Sequence, residues 1–251
     1  GTADGGFVEP VAACTWEAQS VPRAAFLGDY DGDGLPDICI AADSGPGIFR
    51  NTGKGRFRAG IAAAGEISYE AKPDVAGGTS IDLNNDGRED LVFFYGYVAP
   101  IPFFNRGFQC FGIALEMLLR DTTLPHRDAI MEGQQAGAAG DFNGDGVQEL
   151  ALVTKSGNVL VLHPKLPSES SPSLSVGLPR GVPGPVNVVA YEGEHCVGVR
   201  IASASTPAFF GRTRPGPLLL KWRDPDGTEH QKRVVMLKPA HIEIGVILEE
   251  K

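Results

Sequence analysis

Over the first two-thirds of the chain, short apolar runs alternate with acidic, glycine-rich punctuation. Ala24-Ala25-Phe26-Leu27 leads into an acidic stretch, and Ile38 to Ala42 leaves it. The same order returns around Leu91-Val92-Phe93 and around Leu150-Ala151-Leu152. Runs of four to six apolar residues bounded by turn formers read as strands rather than helices. After each exit strand comes a turn and a further strand: Ser44-Gly45-Pro46-Gly47 before Ile48-Phe49-Arg50-Asn51, and Lys155-Ser156-Gly157-Asn158 between Leu150–Thr154 and Val159–His163. The acidic stretches start at 29, 82 and 141, spacings of 53 and 59 residues. A period of that size signals blades or arrays, and short, regularly punctuated strands read as propeller blades.

Beyond the polar, Pro/Ser-rich Lys165 to Pro172 the pattern changes. Six strand candidates follow: Leu174–Leu178, Val186–Tyr191, Val197–Ala202, Leu218–Trp222, Arg233–Leu237 and His241–Leu248. Asp224-Pro225-Asp226-Gly227 is a turn, because Pro presets φ and Gly accepts positive φ. The expected architecture is all-β: three propeller-type blades, a partial or partner-completed propeller, and a small C-terminal β-sandwich or barrel. The expected boundaries are 1–165 for the blades, 166–172 for a linker and 173–251 for the β domain. Gln109 to Arg120 is left open between a short helix and a core-bearing strand.

The acidic stretches carry the chemistry. In Asp29-Tyr30-Asp31-Gly32-Asp33-Gly34-Leu35-Pro36-Asp37, carboxylates occupy positions 1, 3, 5 and 9, with glycine at 6. The second copy offers Asp82, Asn84, Asp86, Arg88 and Asp90; the third offers Asp141, Asn143, Asp145, Val147 and Glu149. Alternating carboxylates around a tight turn suit a hard cation, and position 7 (Leu35, Arg88, Val147) can add a backbone carbonyl, which makes an oxygen-only shell of the kind calcium takes. An EF-hand needs Glu at position 12; here that position is Ile40, Phe93 or Leu152. The loops feed strands, not helices. Up to three Ca2+ ions are expected.

Composition agrees. The formal net charge is -9, and ten acids stand at ligand positions in the three loops. Three divalent ions would leave about -3 by simple charge counting. The acidity reads as metal ligands and argues against a nucleic-acid partner. No run approaches the roughly 18 apolar residues of a membrane span. The chain opens without Met and without a signal-like apolar region, and is read as a processed or trimmed chain in an extracellular or periplasmic setting, where calcium is plentiful. Cys14, Cys39, Cys110 and Cys196 are widely spaced, without metal or haem patterns. They read as buried thiols, with Cys14–Cys39 the disulfide pair to test.

Phe26-Leu27-Gly28-Asp29-Tyr30-Asp31-Gly32-Asp33-Gly34 through Ile48-Phe49-Arg50-Asn51, with weaker copies at Ser80–Phe94 and Gly140–Thr154, resembles the FG-GAP/VCBS repeat family. The resemblance implies calcium in the loops between blade strands. The opening Gly5-Gly6-Phe7-Val8-Glu9-Pro10 is similar to Gly55-Arg56-Phe57-Arg58, as if another unit preceded it. Leu218-Leu219-Leu220-Lys221-Trp222 with Pro225-Asp226-Gly227, and Gly184-Pro185-Val186 upstream, resemble the ASPIC/UnbV domain that follows such repeats, although Arg223 and Asp224 interrupt that family's compact turn.

Catalytic constellations are missing from the pattern. His126, His163, His195, His230 and His241 have no metal-ligand spacing, and His195-Cys196 are strand neighbours that point to opposite faces. Ser168, Ser170 and Ser171 lie in the linker, outside any nucleophile elbow. Phe93-Phe94-Tyr95, Tyr97, Phe103-Phe104 and Phe209-Phe210 read as blade core rather than a sugar platform. The expectation is a non-catalytic, adhesion-type binding or assembly module. Its partner is a protein or further repeats completing the blade stack. The alternatives are an accessory subunit of a larger enzyme complex and a glycan-binding, lectin-like protein.

Overall fold

The computed structural model describes residues 12–15, 21–43, 46–59, 75–107, 111–113, 125–164, 172–179, 185–212, 214–224 and 227–244. Among the described residues the fold is all-β apart from one five-residue helix, with five sheets in a propeller-like arrangement. Three sheets are antiparallel meanders. The first runs β1 (Pro22–Gly28), β2 (Asp37–Ala42), β3 (Gly47–Asn51) and β4 (Phe57–Ala59). The second runs β5 (Val75–Ile81), β6 (Asp90–Tyr95), β7 (Ile101–Asn105) and β8 (Phe111–Ile113). After α1 (Arg127–Met131), the third runs β9 (Gln134–Gly140), β10 (Glu149–Thr154) and β11 (Val159–Leu162).

Two apolar cores hold these meanders face to face. Tyr30, Cys39, Ala41 and Ile48 of the first sheet pack on Leu91, Phe93, Tyr95 and Phe103 of the second. On the other face of the second sheet, Val92 and Phe94 pack on Leu150 and Leu152 of the third. Strand β6 is therefore buried at every residue, the pattern of a strand covered on both faces. Of the aromatics expected in the core, Phe93, Phe94, Tyr95, Phe103, Phe209 and Phe210 are buried, Phe104 is half-buried and Tyr97 is exposed.

The remaining strands are β12 (Ser173–Gly177), β13 (Val186–Glu192), β14 (His195–Ala202), β15 (Ala208–Gly211), β16 (Gly216–Arg223), β17 (Glu229–Met236) and β18 (Ala240–Glu243). They make two sheets, ordered β15-β12-β18 and β14-β13-β16-β17, with β12 and β18 parallel. Leu174, Val176 and Phe210 from one meet Val188, Leu220 and Trp222 from the other in a single core. Sequence periodicity located every one of these strands except β15.

Three local points follow. Within Gln109–Arg120 the described residues Phe111–Ile113 are a strand, its first residue fully buried; the rest of that segment lies outside the described residues. A five-residue helix lies at Arg127–Met131, where Ile130 plugs the core between the second and third sheets. The Cys14–Cys39 disulfide is not formed. Cys14, Cys39 and Cys196 are free thiols, and Cys39 is sealed inside the first inter-sheet core; Cys110 lies outside the described residues.

Candidate metal centre

All three acidic loops fold alike. The first carboxylate turns inward and accepts backbone N–H groups from the loop it opens. Asp29 Oδ1 accepts from Gly32 (2.8 Å) and Asp33 (3.1 Å), and Oδ2 from Gly34 (3.0 Å). Asp82 accepts from Asp86 and Gly87, both at 2.9 Å; Asp141 accepts from Gly144 (2.7 Å) and Gly146 (3.1 Å). The curl needs positive φ twice. Position 6 is Gly34, Gly87 or Gly146; position 4 is Gly32, Asn85 or Gly144, with φ of 75°, 55° and 76°. Glycine tolerates that region freely, and Asn better than most other residues.

Position 7 contributes through its amide: Leu35, Arg88 and Val147 each donate N–H to the position-5 carboxylate (Asp33, Asp86, Asp145) at 2.9 Å. At position 3, Asn84 and Asn143 accept the position-5 amide and donate their own side-chain N–H to the same carboxylate.

Position 9 is a clasp as well as a candidate ligand. Asp37 accepts from Tyr30 N–H (3.1 Å) and Asn51 N–H (2.8 Å); Asp90 accepts from Leu83 N–H (3.1 Å) and Asn105 N–H (2.8 Å). Each ties the loop's second residue to the end of the third strand in its sheet. Glu149 accepts from Phe142 N–H at 2.7 Å, but the register places Pro164 where Asn51 and Asn105 stand. Proline has no N–H to give. The longer Glu149 side chain reaches His163 Nδ1 instead, at 3.3 Å.

Ligand atoms converge within 4.8 Å of one another in two groups, Asp29–Asp31–Asp37 and Asp141–Asp145–Glu149. Both are oxygen-only sets, the chemistry a hard divalent cation takes. The second loop is not drawn together in this way. There the Arg88 guanidinium pairs with Asp86, and its Nε donates to the Asn105 carbonyl at 2.8 Å. In the first loop Arg50 pairs with Asp31 and lies 3.4 Å from Asp33. Burial pushes the carboxyls of Asp37 and Asp82 up to about 7 and that of Asp90 to about 8; Asp29, Asp31 and Glu89 are raised for the same first cause. Buried acids so raised hold either a proton or a cation. The residues fit a metal.

The loops are stapled to each other and roofed by the C-terminal sheets, which sequence reasoning missed. Glu89, at position 8 of the second loop, accepts Asp29 N–H at 3.0 Å; Gln148, at position 8 of the third, accepts Asp82 N–H at 2.9 Å. Above the first loop, Val199 N–H donates to Asp29 Oδ2 at 3.1 Å. Arg200, buried between the first two loops, places Nε 3.0 Å from Glu89 Oε1, donates to the Gly87 carbonyl at 3.0 Å, and lies over the Phe210 ring. Gly211 abuts Asp82 and Asn85 so closely that any Cβ there would collide, and Gly146 abuts Ser173 and Pro239 likewise. Glu89 and Gln148 each stand directly before the position-9 acid, the one sequence signal that could have marked them; nothing in the sequence marked Arg200.

A family model described as FG-GAP-like repeat matches residues 29–93, from the first residue of the first loop into the strand that leaves the second. Among curated proteins, none matches the chain. Among the described residues, no helix is long and apolar enough to cross a membrane.

Proposed function

We propose that this chain is a non-catalytic, calcium-stabilised binding or assembly module of adhesion type, working outside the cell or in a periplasm. The observation that carries the reading is that converging carboxylates, with Asp29, Asp37 and Glu149 buried among them, lie at the base of the C-terminal sheets, so that a cation there would fasten both halves of the molecule. The FG-GAP-like match over two loops supports it. Asp29, Asp31 and Asp37 would hold one ion and Asp141, Asp145 and Glu149 another, with Asp82, Asp86 and Asp90 the weaker third. Bound calcium would supply positive charge to the Asp29, Asp31 and Asp37 carboxyls, whose ionisation burial opposes.

In this reading the three meanders are blades of one stack over 1–165, and the two sheets sharing a core form a C-terminal β-sandwich over 173–251, joined by 166–172. The ASPIC/UnbV likeness belongs to the sandwich, whose β16 carries Leu218–Trp222. A protein partner or further repeats complete the stack, and an accessory subunit of an enzyme assembly would use the same faces.

Each ion, at a few times its dissociation constant, adds about 1 kcal/mol. Thermal melts with calcium and with excess EDTA test the proposal: a lower midpoint in EDTA supports it, and coincident melts refute it. Calorimetric titration should give two tighter sites, both lost in a chain carrying Asp31→Asn and Asp145→Asn.

A second reading, glycan recognition, is favoured by a cleft of about 570 Å3 beside the third loop, where Ser175, Ser205, Thr206 and His241 bring polar groups together. A glycan array decides between the two readings.

A further inference from the structure

The third sheet ends in a bare apolar face. Cross-strand partners share a face of a sheet, and the register Ala136–Val153–Val159 and Ala138–Ala151–Val161 puts six alanines and valines on one side of β9, β10 and β11. Their opposite side, Leu150, Leu152, Leu160 and Leu162, is the one packed on the second sheet. None of the six is buried; Val159 is 70% exposed and Val161 42%. A solvent face of a sheet normally alternates to polar residues. This one carries no polar residue at those six positions.

Position 2 of the loops says the same thing independently. Tyr30 is 1% exposed and packs against the second sheet; Leu83 is 8% exposed and packs against the third. Phe142, their counterpart, is 54% exposed and lies over Gly140, extending the Ala/Val face. In the first two loops this residue is covered by the sheet that follows. Phe142 instead faces the open cleft lined by Ser175, Thr206 and His241, and among the described residues no sheet closes over it.

The first sheet shows the complementary deficit. Ala25, Leu27, Ile38 and Ile40 share the face turned away from the second sheet. Ile38 and Ile40 correspond to Leu91 and Phe93, and to Leu150 and Leu152, which are buried against the preceding sheet. Ile38 and Ile40 stay half-exposed, and Leu27 is exposed.

We infer that the Ala136–Val161 face of one copy receives the Leu27–Ile40 face of a second copy, head to tail, repeating the contact that joins the first sheet to the second and the second to the third. The inference rests on the stacked-blade reading above and names the faces and the partner. Its two surfaces differ, so the contact is heterologous. The copy-to-copy contact lacks one element of the internal ones: position 8 of the first loop is Pro36, with no side-chain acceptor to take the place of Glu89 or Gln148. Association therefore rests on apolar burial and is reversible.

Sedimentation equilibrium of calcium-loaded chain across the micromolar range tests this. Wild type should associate as concentration rises. Val161→Lys and Leu27→Lys should each reduce association by at least tenfold, and both side chains are exposed enough for lysine to leave the melt unchanged. Mixed, the two variants should form a one-to-one dimer, because each keeps the face the other has lost. Val159→Lys serves in place of Val161→Lys if that variant melts early. A wild-type monomer throughout, association indifferent to both lysines, or variants that fail to complement would each overturn the inference. The EDTA melt is read separately, so a calcium-stabilised monomer would sink this proposal and leave the functional one standing.

Discussion

Arg200 and Glu89 form an ion pair, Nε to Oε1 at 3.0 Å, that joins a C-terminal strand to the second acidic loop. Both side chains are nearly enclosed, and the remaining Glu89 oxygen accepts the backbone N–H of Asp29. One guanidinium thereby spans two loops and the sheet above them.

Removing one partner of such a pair strands the other in a dry site, which costs about 3–5 kcal/mol. Arg200→Met should therefore destabilise the chain by about that amount in urea unfolding. Arg200→Met with Glu89→Gln should recover part of the loss, since no charge is then stranded. A double variant no better than Arg200→Met alone would show that the pair does not couple the two halves.

Acidity acts on the loops with a definite sign. Without a divalent cation, the folded chain holds the Asp37 and Asp82 carboxyls at about 7 and Asp90 at about 8, mainly through burial. An unfolded aspartate titrates near about 3.9. Between those values the folded state binds protons that the unfolded state has released, so the contribution is full below pH of about 4 and is lost as pH rises through 7 to 8. Melts in EDTA should fall from pH 5.5 to pH 8.5, whereas calcium should flatten the profile by replacing the proton. An EDTA melt that rises over this range would contradict the assignment of these groups.

Asp90→Asn separates clasp from charge. An amide can accept from one of the two backbone donors, Leu83 N–H and Asn105 N–H, but turns its own N–H toward the other. The unmet buried donor costs about 1–3 kcal/mol. The loss should persist in EDTA, measured by urea unfolding. A variant whose penalty vanishes on chelation would make Asp90 a ligand only.

The loops could be read from the chain because their geometry is local: the inward carboxylate and the turn at position 6 act within nine residues. The exit strands followed from apolar runs, and β10–β11 from the turn at Lys155–Asn158. The roof over the loops was invisible, because Val199 and Arg200 lie far along the chain on a strand whose alternation records only which residues are buried. The demand for positive φ at position 4 was equally hidden: Gly32, Asn85 and Gly144 look like spacers until the curl is seen. Pro164 for asparagine explains why Glu149, with its longer side chain, stands at position 9 of the third loop.

The hydrogen bond from Val199 to Asp29 has a consequence for biosynthesis. Its two ends are separated by 170 residues. At the usual pace of translation that separation is about 10–30 s. The opening loop leaves the ribosome long before its roof exists, and during that wait its acids stand in water, where they ionise readily.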